Sequence, residues 1–221
     1  MTIQGSFIQQ SIRDGSLVLY HDYRLGHARD LSGNGNNGTL VAPAQFQRNG
    51  VFIEASNATA AITVPYAASI APSQETTVSL FAGGYGPWPA PGPTTLTQYI
   101  RYNGVGDFHG VRFNVGTTIN RIVLDNPTTT TTMTTSAGRL SSARYFGVNQ
   151  SDGGSPSAYI NGDLAASSVT LQVFTGAANT LYIGNYSGGS RGVGGCYSAF
   201  MLFNRELTAT EHARLYGELM K

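Results

Sequence analysis

A pair of carboxylates flanking a cleft would be the simplest catalytic chemistry for a chain of this composition, and the sequence does not supply one. Its five glutamates are Glu54, Glu75, Glu206, Glu211 and Glu218. None has a second carboxylate two or three residues away on a strand, whereas acid/base cleavage of a glycosidic bond needs two such groups ~5–10 Å apart. The four histidines, His21, His27, His109 and His212, fall near no Gly-x-Ser-x-Gly elbow. His21 and His27 lie six apart, with no cysteine or third histidine to complete a zinc set, and read as strand-end and turn residues. The single cysteine, Cys196, reads as a buried, unreactive thiol on a strand. Asp30-x-Ser32-x-Asn34-Gly35-Asn36 matches the first half of a calcium loop, but position twelve is Val41 where the closing bidentate glutamate belongs. Asp30, Asn34 and Asn36 are therefore expected to bond backbone amides and hold a turn. The expectation is a protein without catalytic residues.

Binding chemistry has better material. Tyr85 and Trp88 stand in a glycine- and proline-rich stretch, and Tyr99, Tyr102, Phe108, His109 and Arg112 follow on strand-like segments. Aromatic rings beside polar groups suit a sugar or a protein partner. They also suit the bland task of covering one end of a core, and the three readings stand open here.

Composition narrows the partners. Charged residues make up 11% of the 221-residue chain and formal net charge is +1, against ~25% charged in an average globular protein. No basic run or stripe is present, which argues against nucleic acid as a partner. The only lysine is Lys221. A surface poor in lysine and glutamate has the composition of a contact region, although drift in composition would look the same. No segment approaches the ~20 apolar residues of a membrane span. Residues 1–10 have neither a basic start nor an apolar run, so no signal peptide is expected, and folding in a cytoplasm is.

The elements that would position these residues are short and mostly extended. Strands are expected at Leu17–Tyr20, Val51–Glu54, Ala61–Val64, Thr76–Ala82, Leu96–Tyr102, Gly110–Val115, Arg121–Asp125, Arg144–Val148, Ser157–Ile160, Val169–Phe174, Thr180–Gly184 and Cys196–Phe203. The threonine tract at 128–135 is either disordered or an exposed edge strand. Asn161-Gly162 signals a hairpin, and His27–Leu40 a compact turn system. Only the C-terminus reads as helix, with a capping box from Thr208 to Glu211 and Ala213, Leu215 and Tyr216 docking on a sheet edge. Residues 1–16 read as an arm or a first edge strand, and 17–221 as one all-β domain.

The order of these motifs resembles concanavalin A-like, laminin-G-like domains over residues 17–217. The resemblance rests on Asp30-x-Ser32-Gly33-Asn34-Gly35-Asn36-x-Gly38-Thr39-Leu40, Thr76–Phe81, Tyr159-Ile160-Asn161-Gly162, Leu181–Gly184 and Met201–Glu211. It implies an antiparallel two-sheet jelly-roll sandwich with a short C-terminal helix. Glucanases of that superfamily carry Glu-x-Asp-x-x-Glu on one strand, which this chain lacks. Some related domains bind calcium on the sandwich rim, so a site using Asp22, Asp30 or Asp107 stays open, and no other cofactor is expected.

Such a fold serves mostly extracellular recognition, yet the sequence signals no secretion. A virus particle released by lysis reconciles the two. The expectation is a non-enzymatic virion protein, a phage capsid decoration or cement protein or a tail adhesion protein. It would act through contacts with capsid or tail subunits, as a homo-oligomer. The alternative is a lectin-like module that recognises cell-surface polysaccharide.

Overall fold

The computed structural model describes residues 5–53, 60–70, 75–81, 96–103, 108–115, 120–125, 130–135, 144–151, 154–168, 180–184 and 195–221, those at 75–81, 96–103, 108–115 and 120–125 by their backbone. The expected strand at 169–174 lies outside the described residues.

Alternating apolar positions build two antiparallel sheets and a small third one. The first sheet runs β1 (Leu17–Asp22), β16 (Ala199–Phe203), β6 (Glu75–Phe81), β11 (Tyr145–Ser151), β12 (Ser157–Ile160) and β13 (Asp163–Ser167). The second runs β10 (Thr130–Thr135), β9 (Asn120–Asp125), β8 (Phe108–Val115), β7 (Leu96–Asn103), β14 (Thr180–Ile183), β5 (Ala61–Val64) and β2 (Thr39–Val41). The third joins β15 (Gly195–Tyr197), β4 (Gly50–Ile53) and β3 (Gln45–Gln47). Side chains of both large sheets meet in one core: Leu19, Phe146, Val148, Ile160, Phe200 and Leu202 from one side, Ile62, Val64, Met133, Leu181 and Ile183 from the other. This is the jelly-roll sandwich that the motif order implies.

A second apolar cluster covers the outer face of the six-stranded sheet. There α1 (Phe7–Arg13) and α2 (Ala209–Leu219) pack Phe7, Ile8, Leu215 and Leu219 against Leu17, Tyr145, Met201 and Phe203. A bulge between Leu17 and Leu19 shifts the register of β1. Leu17 thereby joins the helix side while Val18 and Leu19 enter the inter-sheet core.

Three expectations are corrected. Residues 7–13 form a helix rather than an arm or edge strand. Ser6 caps it, and the Phe7 ring stacks 6.1 Å from Phe203. The segment Cys196–Phe203 is two strands in different sheets. Its break is at Ser198, whose hydroxyl donates to Asn49 O and whose carbonyl accepts from Tyr23 N. Helix α2 lies on a sheet face rather than an edge, with Ala213 exposed and His212 buried in its place. The threonine tract is the edge strand β10, Thr131 and Met133 inward and Thr132 and Thr134 exposed.

Candidate functional site

Register places the aromatic candidates. In an antiparallel sheet, directly paired residues share a face and neighbours along a strand alternate. On the seven-stranded sheet Ile62, Val64, Met133, Leu181 and Ile183 are buried in the core. Thr39, Thr132 and Thr134 on the opposite side are exposed, and Thr63 and Tyr182 half-buried. Pairing carries that second side across the middle of the sheet. Tyr99 pairs with Arg112, which pairs with Val123. Tyr182 pairs with Arg101, which pairs with Gly110, which pairs with Asp125. Asn114 pairs with Arg121, which pairs with Thr134. Phe108 belongs to the same side, opposite Asn103.

Backbone register sorts five of the seven binding candidates between the two faces of the sheet. Tyr99, Phe108 and Arg112 share the face away from the core. Tyr102 and His109 pair with each other on the core side, in line with Leu181. One residue of offset along a strand moves a position to the opposite face, which separates Tyr102 and His109 from Tyr99 and Arg112 in register. Tyr85, Trp88 and Asp107 lie outside the described residues. Arg101, Arg121 and Tyr182 join the face and were not anticipated. The alternation Tyr99-x-Arg101 was readable, but their cross-strand partners were not.

The Asp30 turn is a hydrogen-bond hub. Asp30 Oδ1 accepts from Tyr20 N at 3.0 Å and Ser32 N at 2.9 Å, and Oδ2 from Asn36 N at 2.9 Å. Asn34 and Asn36 donate side-chain amides to Val18 O at 3.2 and 2.8 Å. The buried His21 ring bridges Asn36 O and the Tyr23 hydroxyl. Asp22 is held by Arg24 through contacts of 2.8 and 2.7 Å and also caps Arg24 N. The carboxylate oxygens of Asp22 and Asp30 thus serve turns and an ion pair. Among the described residues no three His, Cys, Asp or Glu side chains cluster as a metal site.

Other titratable groups are equally committed. Glu211 pairs with Arg205 at 2.6 Å and closes the capping box with Thr208. The Arg205 hydrogen bond is the main cause that brings its carboxyl down to about 2. Glu218 accepts from Ser6 Oγ and from the Phe7 and Ile8 amides at the start of α1. His212 is fully buried on α2: Nδ1 lies 2.6 Å from Tyr145 Oη, Nε2 lies 3.0 Å from Asn149 Oδ1, and Tyr159 stacks on the ring at 3.8 Å. Asn149 Nδ2 donates to Leu207 O at 2.7 Å. Its Oδ1 is therefore an acceptor, and the proton sits on His212 Nε2. Asn161-Gly162 turns β12 into β13 with φ of 53° and 86°, and Asn161 Oδ1 accepts from Arg144 N and Tyr145 N. Cys196 is half-buried, and burial raises its thiol pKa. The Tyr145 hydroxyl and the His212 ring do hydrogen-bond, but both are fully buried and their contact holds the core together.

Residues 56–211 match the Laminin_G_3 family model, described as part of the concanavalin A-like lectin/glucanases superfamily. No curated protein matches the chain. Among solved structures, the binding domain of Paraclostridial Mosquitocidal Protein 1 superposes with TM-score 0.69 at 16% identity, over 95% of this chain and 53% of that one. The botulinum neurotoxin type C structure, whose cell entry depends on interaction with two ganglioside molecules, gives TM-score 0.66 at 17% identity, over 96% of this chain and 53% of that one. Domain 4 of AbnA, an extracellular arabinanase from Geobacillus stearothermophilus solved with arabinotriose, gives 0.62 at 16% identity, over 91% of this chain and 98% of that one. The chain thus spans about half the length of the toxin structures and nearly all of the arabinanase domain. At these identities the likeness is one of fold.

Proposed function

The chain belongs to the concanavalin A-like lectin/glucanase superfamily, and from that premise we propose a non-catalytic, lectin-like module that binds polysaccharide on the outer face of its seven-stranded sheet. The observation that carries this reading is the register that sets Tyr99 beside Arg112, and Tyr182 beside Arg101, on the side away from the core. A sugar ring needs a flat apolar platform next to hydrogen-bond donors. A sheet holds both in fixed relative positions, which lowers the ordering cost of binding. Two of the structural relatives are described with a saccharide or ganglioside partner, which supports the same reading.

The test is a glycan array followed by titration of the hits. Specific hits that weaken about tenfold or more on Tyr99→Ala, with the unfolding midpoint unchanged, support the face. Hits lost on Trp88→Ala but indifferent to Tyr99→Ala would move the site to the glycine- and proline-rich segment 83–95. A second reading, a capsid or tail protein of a virion that works through protein contacts as a homo-oligomer, is favoured only by the lysine-poor composition. Co-sedimentation with capsids without any glycan hit would select it.

A further inference from the structure

The three-stranded sheet has one face in the core and one in water. Directly paired positions share a face. Phe46, Val51 and Tyr197 pair in one row and pack in the core. The neighbouring row is Gln45, Phe52 and Cys196, and it faces outward: Gln45 is exposed, Phe52 is 37% exposed and Cys196 is half-buried. Gln47, two residues along β3, is also exposed and lies diagonal to Phe52, at ~7–8 Å. Phe52 is the exposed phenylalanine among the described residues, and it stands on the middle strand rather than at a rim. The plate that carries it is firmly seated. Gly50 packs so closely on Tyr197 O that a Cβ would meet it, and Ser198 Oγ donates to Asn49 O beside it. Strands β3, β4 and β15 carry no charged side chain, and Arg48 stands in the turn between the first two.

We infer that the outer face of the three-stranded sheet is a second saccharide site, one that takes an uncharged sugar ring on Phe52. It shares the chemistry of the lectin-like reading above but none of its residues. The Phe52 ring supplies the apolar platform, and the glutamine amides supply both donors and acceptors for sugar hydroxyls. Charge complementarity selects a neutral ligand, because the strands offer no cation to a phosphate or a carboxylate. Size selects a short stretch of saccharide. Three strands of at most four residues cover about 13 by 10 Å, far below the ~800 Å² per partner that a stable protein contact buries.

The experiment runs the whole chain in affinity electrophoresis against arabinan, dextran and galactomannan, with polygalacturonate as the charged comparison. The expected result is retardation by at least one neutral polymer. It should weaken about tenfold or more in Phe52→Ala and in Gln45→Ala, and persist in Phe52→Tyr, with unfolding midpoints unchanged. Cys196, the single cysteine of the chain and the paired neighbour of Phe52, gives a second readout. Bound polymer should slow its reaction with a maleimide. Retardation that survives Phe52→Ala and Gln45→Ala but is lost on Tyr99→Ala, with Cys196 unprotected, overturns the inference and leaves the Tyr99 face standing. Retardation lost on Phe52→Ala and indifferent to Tyr99→Ala supports the inference and removes the Tyr99 face. Preference for polygalacturonate over every neutral polymer also overturns the inference. No retardation by any polymer overturns both sites.

Discussion

Burial holds the His212 ring neutral, its pKa pushed down to about 3, while the ring would take up a proton near 6.5 in the unfolded chain. Between those two values the unfolded state binds a proton that the folded state refuses. Stability from this group is therefore complete above pH 6.5 and declines as pH falls towards 3, by up to about 1.4 kcal/mol per pH unit. His21, pushed down by its own burial, adds to the same slope. Glu211 acts below its ordinary value of 4.5, where protonation starts to cost the Arg205 pair. Urea midpoints measured from pH 7 to 5 should thus fall, and fall less steeply in His212→Gln. An identical slope in the variant would mean that the ring is not held neutral in the fold. Gly147 sits against this network. A Cβ there would lie 2.5 Å from the His212 ring and 2.6 Å from Tyr145 Oη. Gly147→Ala should cost about 1–3 kcal/mol by the same denaturation, although the residue is one of the smallest in the strand.

At the level of elements, what the sequence made readable is what its neighbours in sequence decide. The Thr208–Glu211 capping box and the Asn161-Gly162 hairpin are each complete within four residues, and both form. Helix α1 was missed because seven residues are too few to hold a helix in water, and what holds this one comes from the other end of the chain. Glu218 receives the Ser6 hydroxyl and the Phe7 and Ile8 amides, and Phe203 receives the Phe7 ring. The split between β15 and β16 was hidden for the same reason, since Ser198 is fixed by Asn49 and Tyr23. The candidate face was half visible: alternation put Tyr99 with Arg101, but pairing with β8 and β14 depends on register, which local sequence does not encode. Glu218→Ala should cost roughly 1 kcal/mol and raise amide exchange in residues 7–13 above that of α2. Unchanged exchange there would show that packing alone anchors α1. Asp30→Ala, which strips the acceptor from three backbone amides, should destabilise by roughly 2 kcal/mol or more. A chelator should leave the wild-type midpoint where it is, because those oxygens already accept three backbone amides. A calcium-dependent rise in the midpoint would reopen the metal reading.

For the whole molecule, the six-stranded sheet is apolar on both sides. One face meets the other sheet, and the second is roofed by the two helices. On the proposed reading, the seven-stranded sheet offers its outer side, the side on which register places Tyr99, to the saccharide. The N-terminal segment, which the sequence suggests as an arm or edge strand, is part of that roof. An arm built to reach a neighbouring subunit could be removed without harm to its own domain. A roof could not. Phe7 and Ile8 are buried, and each contributes ~1.5–3 kcal/mol by leaving water. Deleting residues 1–16 would uncover Leu17, Phe203 and Leu219, all now buried. The truncated chain should therefore lose roughly 3 kcal/mol or more of unfolding free energy, bind a hydrophobic dye, and still engage saccharide where it remains folded if the proposed face, on the other sheet, is the site. A truncated chain with the wild-type melting temperature and no dye binding would return the segment to the role of an arm.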